Sequence, residues 1–194
     1  MDYSVDQIIF GPDDVDLERS PLRASMRDLN IETYTLGAFN PGLTRLLNGN
    51  LLMMVRVAEA LRDPVHEDFA HTIRWTDSGY RLDAYPVDAL DLKDPRKFQL
   101  ATHFYKTMGL TSLSWLLPVE LSADGAKVLR VHYEHAIAPC TDYQEYGVED
   151  ARQAQRQRNV LRSGVFSYFQ KTLQPSIAVD KSVFGNNTQL FNRT

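Results

Sequence analysis

Residues 142–152, Asp-Tyr-Gln-Glu-Tyr-Gly-Val-Glu-Asp-Ala-Arg, hold four carboxylates, two tyrosines, one glycine and one arginine within eleven positions. Carboxylates this close can divide proton chemistry between them. One is paired and ionised, and the other is less solvated and stays protonated as an acid. Gly147 lets the chain turn where a Cβ would clash. Val148 is an apolar anchor that leaves Glu149 and Asp150 adjacent but pointing different ways, with Arg152 beside them. On residue types alone, two plainer readings fit the same stretch: an acidic surface loop, and a turn-capping Asp150 tied to main-chain N–H groups.

Other polar residues stand where they could meet a ligand. Arg56 interrupts the apolar run 51–57, and an arginine at the end of a buried strand either pairs internally or faces a cleft. Asn40 precedes Pro41 and on its own is a turn residue. Arg45 lies one hairpin arm earlier and suits a structural role. His132 and His135 sit three apart in what reads as a strand end, so their side chains point to opposite faces and make a poor metal pair. Cys140 is the single cysteine, which excludes an intrachain disulfide and a cysteine-based metal site. The expectation is no metal. Arg156-Gln157-Arg158, with Phe166, Tyr168 and Phe169 beyond, has the residue types of a nucleic-acid surface but no recognised module, so a solvated basic segment is expected.

The elements that must position these residues are short strands. Asn48-Gly49-Asn50 joins 43–47 to 51–57, and Asn-Gly between apolar runs is a strong hairpin signal. The near-continuous apolar run 51–57 predicts an inner strand buried on both faces. Thr76-Asp77-Ser78-Gly79 joins 69–75 to 80–85, and Ser122-Ala123-Asp124-Gly125 joins 113–121 to 127–133. Thr33–Leu36 is β-prone, Asn40-Pro41-Gly42 reads as a turn, and 91–97 reads as a charged loop. Hairpins in succession, with no long helical period between them, predict an all-β meander of the sandwich or propeller kind. Residues 1–30, broken by Gly11-Pro12 and Ser20-Pro21, read as an irregular lead-in with a short strand at 7–10. Residues 153–170 carry apolar groups at roughly helical spacing, and 175–194 have no period.

Charge divides the chain at Arg152. Residues 1–152 carry 15 Lys and Arg against 24 Asp and Glu, and residues 153–194 carry 6 against 1. The net charge of −4 over 194 residues argues against a nucleic-acid partner. The N-terminus lacks the basic and apolar regions of a secretory signal, and no apolar run is long enough to span a bilayer. The default expectation is a cytoplasmic protein without a membrane partner.

Residues 146–152, Tyr-Gly-Val-Glu-Asp-Ala-Arg, resemble the Gly-Val-Glu-Asp-Pro-Arg signature of the β-mannoside phosphorylase family, five-bladed β-propeller enzymes acting on β-mannosides. Gly37-Ala-Phe-Asn-Pro-Gly42, followed by Leu-Leu-Met-Met-Val-Arg at 51–56, resembles the family's first-blade start and its strand ending in a sugar-contacting arginine. The resemblance covers residues 30–152, and members are about twice this length because five blades need about 40–50 residues each. It implies an all-β chain holding the first two to three blades, with an irregular or helical tail. The implied domains are a lead-in at 1–30, a partial propeller catalytic domain at 31–152, and an atypical basic tail at 153–194 that a truncation, a frameshift or divergence would produce.

The resemblance also implies a function. Asp150 is the general acid that helps the leaving sugar oxygen depart, through a hydroxyl of the bound mannose in some members. Asn40 and Arg56 contact the transferred sugar, and Glu149 either orients it or pairs with Arg152. Ala151 stands where the family has proline. Inorganic phosphate is a co-substrate rather than a cofactor, and no cofactor is implied. The implied reaction cleaves a β-mannosidic linkage of an oligosaccharide with inversion, giving mannose 1-phosphate. Hydrolysis on the same fold, and a catalytically inactive sugar-binding fragment, are the alternatives. An incomplete propeller would leave an unpaired edge that invites a homo-oligomer.

Overall fold

The computed structural model describes residues 7–28, 30–149 and 151, all within the unit Met1–Gln155. Among the described residues ten strands form three antiparallel sheets. Strands β1 (Thr33–Arg45), β2 (Leu51–Leu61), β9 (Ser112–Leu121) and β10 (Val128–Val131) make one sheet in the order β1-β2-β9-β10. Strands β3 (Val65–His66), β4 (Phe69–Thr76) and β5 (Gly79–Pro86) make the second. Strands β6 (Leu90–Asp91), β7 (Lys97–Leu100) and β8 (His103–Leu110) make the third.

The all-β expectation is met, but the assignment of hairpins to sheets is corrected. A meander of successive hairpins implies that strands adjacent in sequence are adjacent in a sheet. Instead β9 returns across residues 62–111 and pairs with β2 in unbroken register from Leu51↔Leu121 to Ala60↔Ser112. The physical reason lies in composition. Both strands are almost wholly apolar and buried, so each is stable only with a neighbour on either edge and cover on either face. The first and third hairpins thus share one sheet, and the second belongs to an excursion between them. Among the described residues the three sheets are separate and do not close on one another.

Strand β1 also departs from expectation. Asn40-Pro41-Gly42 is not a turn between two strands but a bulge inside one strand, where the register slips between Phe39↔Arg56 and Gly42↔Met54. Asn40 takes a left-handed conformation, φ 48°, which asparagine tolerates better than most residues. Pro41 lacks an N–H, and a bulge in an edge strand is where that loss is tolerated. The Asn48-Gly49 turn forms as its sequence requires, with Gly49 at φ 89° and Asn48 Oδ1 accepting from the Asn50 N–H at 3.0 Å.

One face of the four-stranded sheet carries the main core. Met53, Val55, Val57 and Leu61 of β2 alternate onto it with Leu113, Trp115, Leu117, Val119 and Leu121 of β9. The lead-in packs there too. Residues 7–10 are not a strand, and two 3₁₀ turns (Pro12–Asp14, Leu17–Arg19) and a short helix α1 (Arg23–Asp28) bring Leu22 and Met26 fully into the core. Ile73 of β4 joins the same cluster, which ties the excursion to the sheet.

Candidate functional site

The opposite face of β2 presents Leu52, Met54, Arg56, Ala58 and Ala60, because side chains alternate along a strand. Leu52, Met54 and their neighbour Leu116 are fully buried. Beyond Arg56 the row changes to small residues, since Ala58 and Ala60 stand opposite Ser114 and Ser112. Small side chains there leave room for a cleft of roughly 290 Å³. Phe39, Arg56, Ser114, Tyr146 and Glu149 line it, together with Asp94, Arg96 and Lys97 from the excursion.

The acidic segment reaches this cleft by main-chain pairing. The Ser114 N–H donates to the Tyr146 carbonyl at 3.1 Å, and the Val148 N–H donates to the Ser114 carbonyl at 2.8 Å. Gly147 sits in parallel register with Ser114, at φ 108°, and a Cβ there would overlap the Ser114 main chain. Both conformation and contact therefore demand glycine. Val148 is half-buried, so the anchoring comes from its backbone more than from its side chain. On the other side, the Trp75 N–H of β4 donates to the Glu145 carbonyl at 2.8 Å. The segment is thus laced between two sheets before it delivers Glu149.

Arg56 both pairs internally and faces the cleft. Its Nε donates to Ser114 Oγ at 3.0 Å, its Nη2 donates to Glu149 Oε1, and its guanidinium carbon lies 5.1 Å from the centre of the Phe39 ring. Hydrogen bonds from two sides and an aromatic plane below fix the fork, leaving little rotamer freedom. Phe39 precedes Asn40, so the bulge that holds Asn40 also supplies the ring beneath Arg56. Asn40 itself is exposed. The carbonyl oxygen of Ala151 fills the place that a Cβ on Gly42 would take, which brings residue 151 against the same bulge. Asp150 and Arg152 lie outside the described residues.

Several cleft residues carried no usable sequence signal. Asp94 and Arg96 form a two-point pair, Nε to Oδ1 at 2.9 Å and Nη2 to Oδ2 at 3.0 Å. Hydrogen bonds from the Arg96 side chain and main chain hold the Asp94 carboxyl down at about 2. These residues read only as part of a charged loop, and nothing local tells that the loop faces Arg56. The expected opposite facing of the two histidines is also corrected. The chain leaves β10 at Val131 and enters the 3₁₀ turn Tyr133–His135, which brings the His132 and His135 rings to 6.1 Å. His132 is buried between Glu120, 3.5 Å from Nε2, and Glu134, 3.4 Å from Nδ1. Among the described residues no group of three or more histidine, cysteine or acidic side chains is placed to hold a metal. No helix among them is long and apolar enough to cross a membrane.

Comparison with known proteins leads to one relative by two routes. No protein-family model matches the chain. The curated β-1,2-mannobiose phosphorylase of Listeria innocua is 32% identical over 126 residues, which is 62% of this chain and 34% of that protein. The solved structure of β-1,2-mannobiose phosphorylase from the same organism, in complex with β-1,2-mannobiose, matches with a TM-score of 0.55 and 27% identity. That match covers 74% of this chain and 38% of the other. The chain spans about a third of the length of the curated relative. Both matches agree with a resemblance to the N-terminal part of the β-mannoside phosphorylase family.

Proposed function

We propose that this chain carries the mannosyl-binding end of a β-mannoside phosphorylase. The observation that supports the reading most is the pairing of Arg56 with Glu149, residues 93 positions apart in sequence. Each belongs to a separate motif of the resemblance, and one cleft holds both. Asn40, Arg56 and Glu149 supply an amide, a guanidinium and a carboxylate, which together can donate to and accept from the vicinal hydroxyls of one pyranose. The size suits this role, because roughly 290 Å³ is at the lower end of small-ligand sites.

In the proposed chemistry Asp150, as a carboxylic acid, gives its proton to the glycosidic oxygen as the C1–O bond breaks. A phosphate oxygen forms the new bond to C1 from the opposite face. Configuration inverts, and the products are mannose 1-phosphate and the released sugar. An alkoxide is a poor leaving group, so the proton transfer supplies about 10²–10⁴ in rate. Arg152 stays close to the acid in sequence and is assigned to substrate binding with it.

The test has two parts. Calorimetric titration with β-1,2-mannobiose should give binding to the chain, weakened about tenfold or more in Arg56→Ala. An assay for mannose 1-phosphate and for free mannose, with and without phosphate, then separates phosphorolysis from hydrolysis. Binding without either product would assign this chain the sugar-holding part alone. Absence of binding, or binding unchanged in Arg56→Ala, would remove the cleft from the reading.

A further inference from the structure

Ser114 interrupts a strand that is otherwise apolar almost throughout, and at 5% exposed it is buried. A buried hydroxyl is costly without a hydrogen bond, and this one accepts from Arg56 Nε at 3.0 Å. The contact runs diagonally across the ladder, because Arg56 stands opposite Leu116 and Ser114 opposite Ala58. The oxygen has a fixed place. The Ser114 N–H donates to the Tyr146 carbonyl, and the Ser114 carbonyl accepts from the Val148 N–H. The residue is therefore pinned to the acidic segment as well as to β2.

The bond to Nε governs how Arg56 meets its carboxylate. An arginine commonly engages a carboxylate through two parallel N–H donors, and Nε with Nη2 is one such edge. Two other pairs in this protein use that edge. Arg96 gives Nε to Asp94 Oδ1 at 2.9 Å and Nη2 to Oδ2 at 3.0 Å. Arg74 gives Nε to Asp83 Oδ2 and, less closely, Nη2 to Oδ1 at 3.5 Å. In Arg56 the same edge is divided. Nε goes to Ser114, and Nη2 goes to Glu149 through Oε1. Glu149 Oε2 is left outside that pair, so the carboxylate keeps acceptor capacity for another donor. The Glu149 side chain is half-exposed and lines the cleft, where it can present this oxygen.

We propose that Ser114 is a positioning residue: its hydroxyl occupies Nε, so that Arg56 and Glu149 meet at one point and stay open to a ligand. Without that hydroxyl, the Nε–H of a largely buried side chain loses its acceptor, and Glu149 Oε2 is the replacement at hand. A two-point pair like that of Asp94 and Arg96 then forms inside the cleft, and a sugar hydroxyl has to displace it. The geometric claim stands on the hydrogen bonds alone. Its consequence for sugar binding rests on the function proposed above.

The experiment compares the intact chain with Ser114→Ala, Glu149→Gln and the double variant. Each is titrated calorimetrically with β-1,2-mannobiose, and the NMR signal of the Arg56 Nε–H is followed, assigned by its loss in Arg56→Lys. Ser114→Ala should weaken mannobiose binding about tenfold. In the Glu149→Gln background, which offers no second carboxylate oxygen, the same change should cost less than about twofold. A serine that merely supported its strand would cost as much in both backgrounds. The Arg56 Nε–H signal should move downfield in Ser114→Ala, because a charged acceptor replaces a hydroxyl, and should not do so in the double variant. That signal reads the geometry whether or not a sugar binds. An unmoved signal in Ser114→Ala, mannobiose binding unchanged by it, or an equal loss in both backgrounds overturns the proposal. If the signal moves as stated but the wild-type chain binds no mannobiose, the glycoside reading fails and the positioning role stands.

Discussion

Glu59 is a carboxylate on the core face of β2, 2% exposed, where charge is least welcome. It accepts from Ser20 Oγ at 2.5 Å, from Thr33 Oγ1 at 2.6 Å and from Trp115 Nε1 at 3.2 Å. The first of these hydroxyls belongs to the lead-in, so Glu59 fastens residues 7–28 to the sheet. Burial pushes its pKa above the ordinary 4.5, and the three donors and Arg23 only partly oppose that. A carboxyl with a raised folded pKa gives stability that is complete below 4.5 and is lost as pH rises through the folded value. Glu59→Gln keeps the volume and an acceptor but cannot ionise. Its Tm should therefore gain on that of the wild type as pH is raised from about 4 to 7, and parallel curves would sink the argument. Glu59→Ala should instead cost about 2–4 kcal/mol in denaturant unfolding, since two hydroxyls and an indole N–H lose their acceptor. Gly147→Ala belongs to the same scale. It should leave the main core folded yet weaken mannobiose binding about tenfold or more, because the Ser114 pairing that delivers Glu149 to Arg56 cannot form around a Cβ. Of these residues, Gly147 was legible from its place in an acidic motif. Glu59 was not, because a lone glutamate in an apolar run gives no sign of which donors will meet it.

At the scale of elements, turn chemistry was legible and strand pairing was not. Gly49, Gly79 and Gly125 all take positive φ, at the turns their neighbours announced. A turn, however, fixes only the two strands it joins. The ladder between β2 and β9 forms across the whole excursion, and its only local trace is that both strands are apolar on both faces. The third sheet escaped for a related reason. Its strands β6 and β7 are short, and Lys97, Gln99 and the Asp94-Pro95 break give no clean alternation. The candidate site suffered most from this limit. Arg56 and the acidic segment were visible as motifs, but the wall formed by Asp94, Arg96 and Lys97 depends on where the excursion folds back. The pairing predicts an order of amide exchange. Amides near the middle of the ladder, such as Val55 and Leu117, should be the slowest of the described residues, and those of β3 at Val65–His66 should be among the fastest. Slowest exchange in the second or third sheet would mean that the β2–β9 ladder is not the centre of stability.

At the largest scale, what bears on association is what the four-stranded sheet exposes among the described residues. Both of its outer strands expose apolar side chains: Leu43 at 53% on β1 and Leu129 at 53% on β10, with Leu47 at 69% just beyond β1. An edge strand also offers unpaired N–H and C=O groups along its outer side, which is a template for pairing with another chain. Charge does little to blunt these edges, because β1 carries only Arg45 and β10 only Arg130. Two edges of this character on one sheet favour association between molecules, and the effect must grow with concentration. Sedimentation velocity across about a hundredfold concentration range should therefore show a shift from monomer toward larger species. Leu43→Lys combined with Leu129→Glu should move that shift to higher concentration. Neither side chain lines the Arg56 cleft, so mannobiose binding should survive the double substitution. A single monomeric boundary at every concentration, or association unaltered by the paired charges, would show that the two edges are not what the molecule associates through.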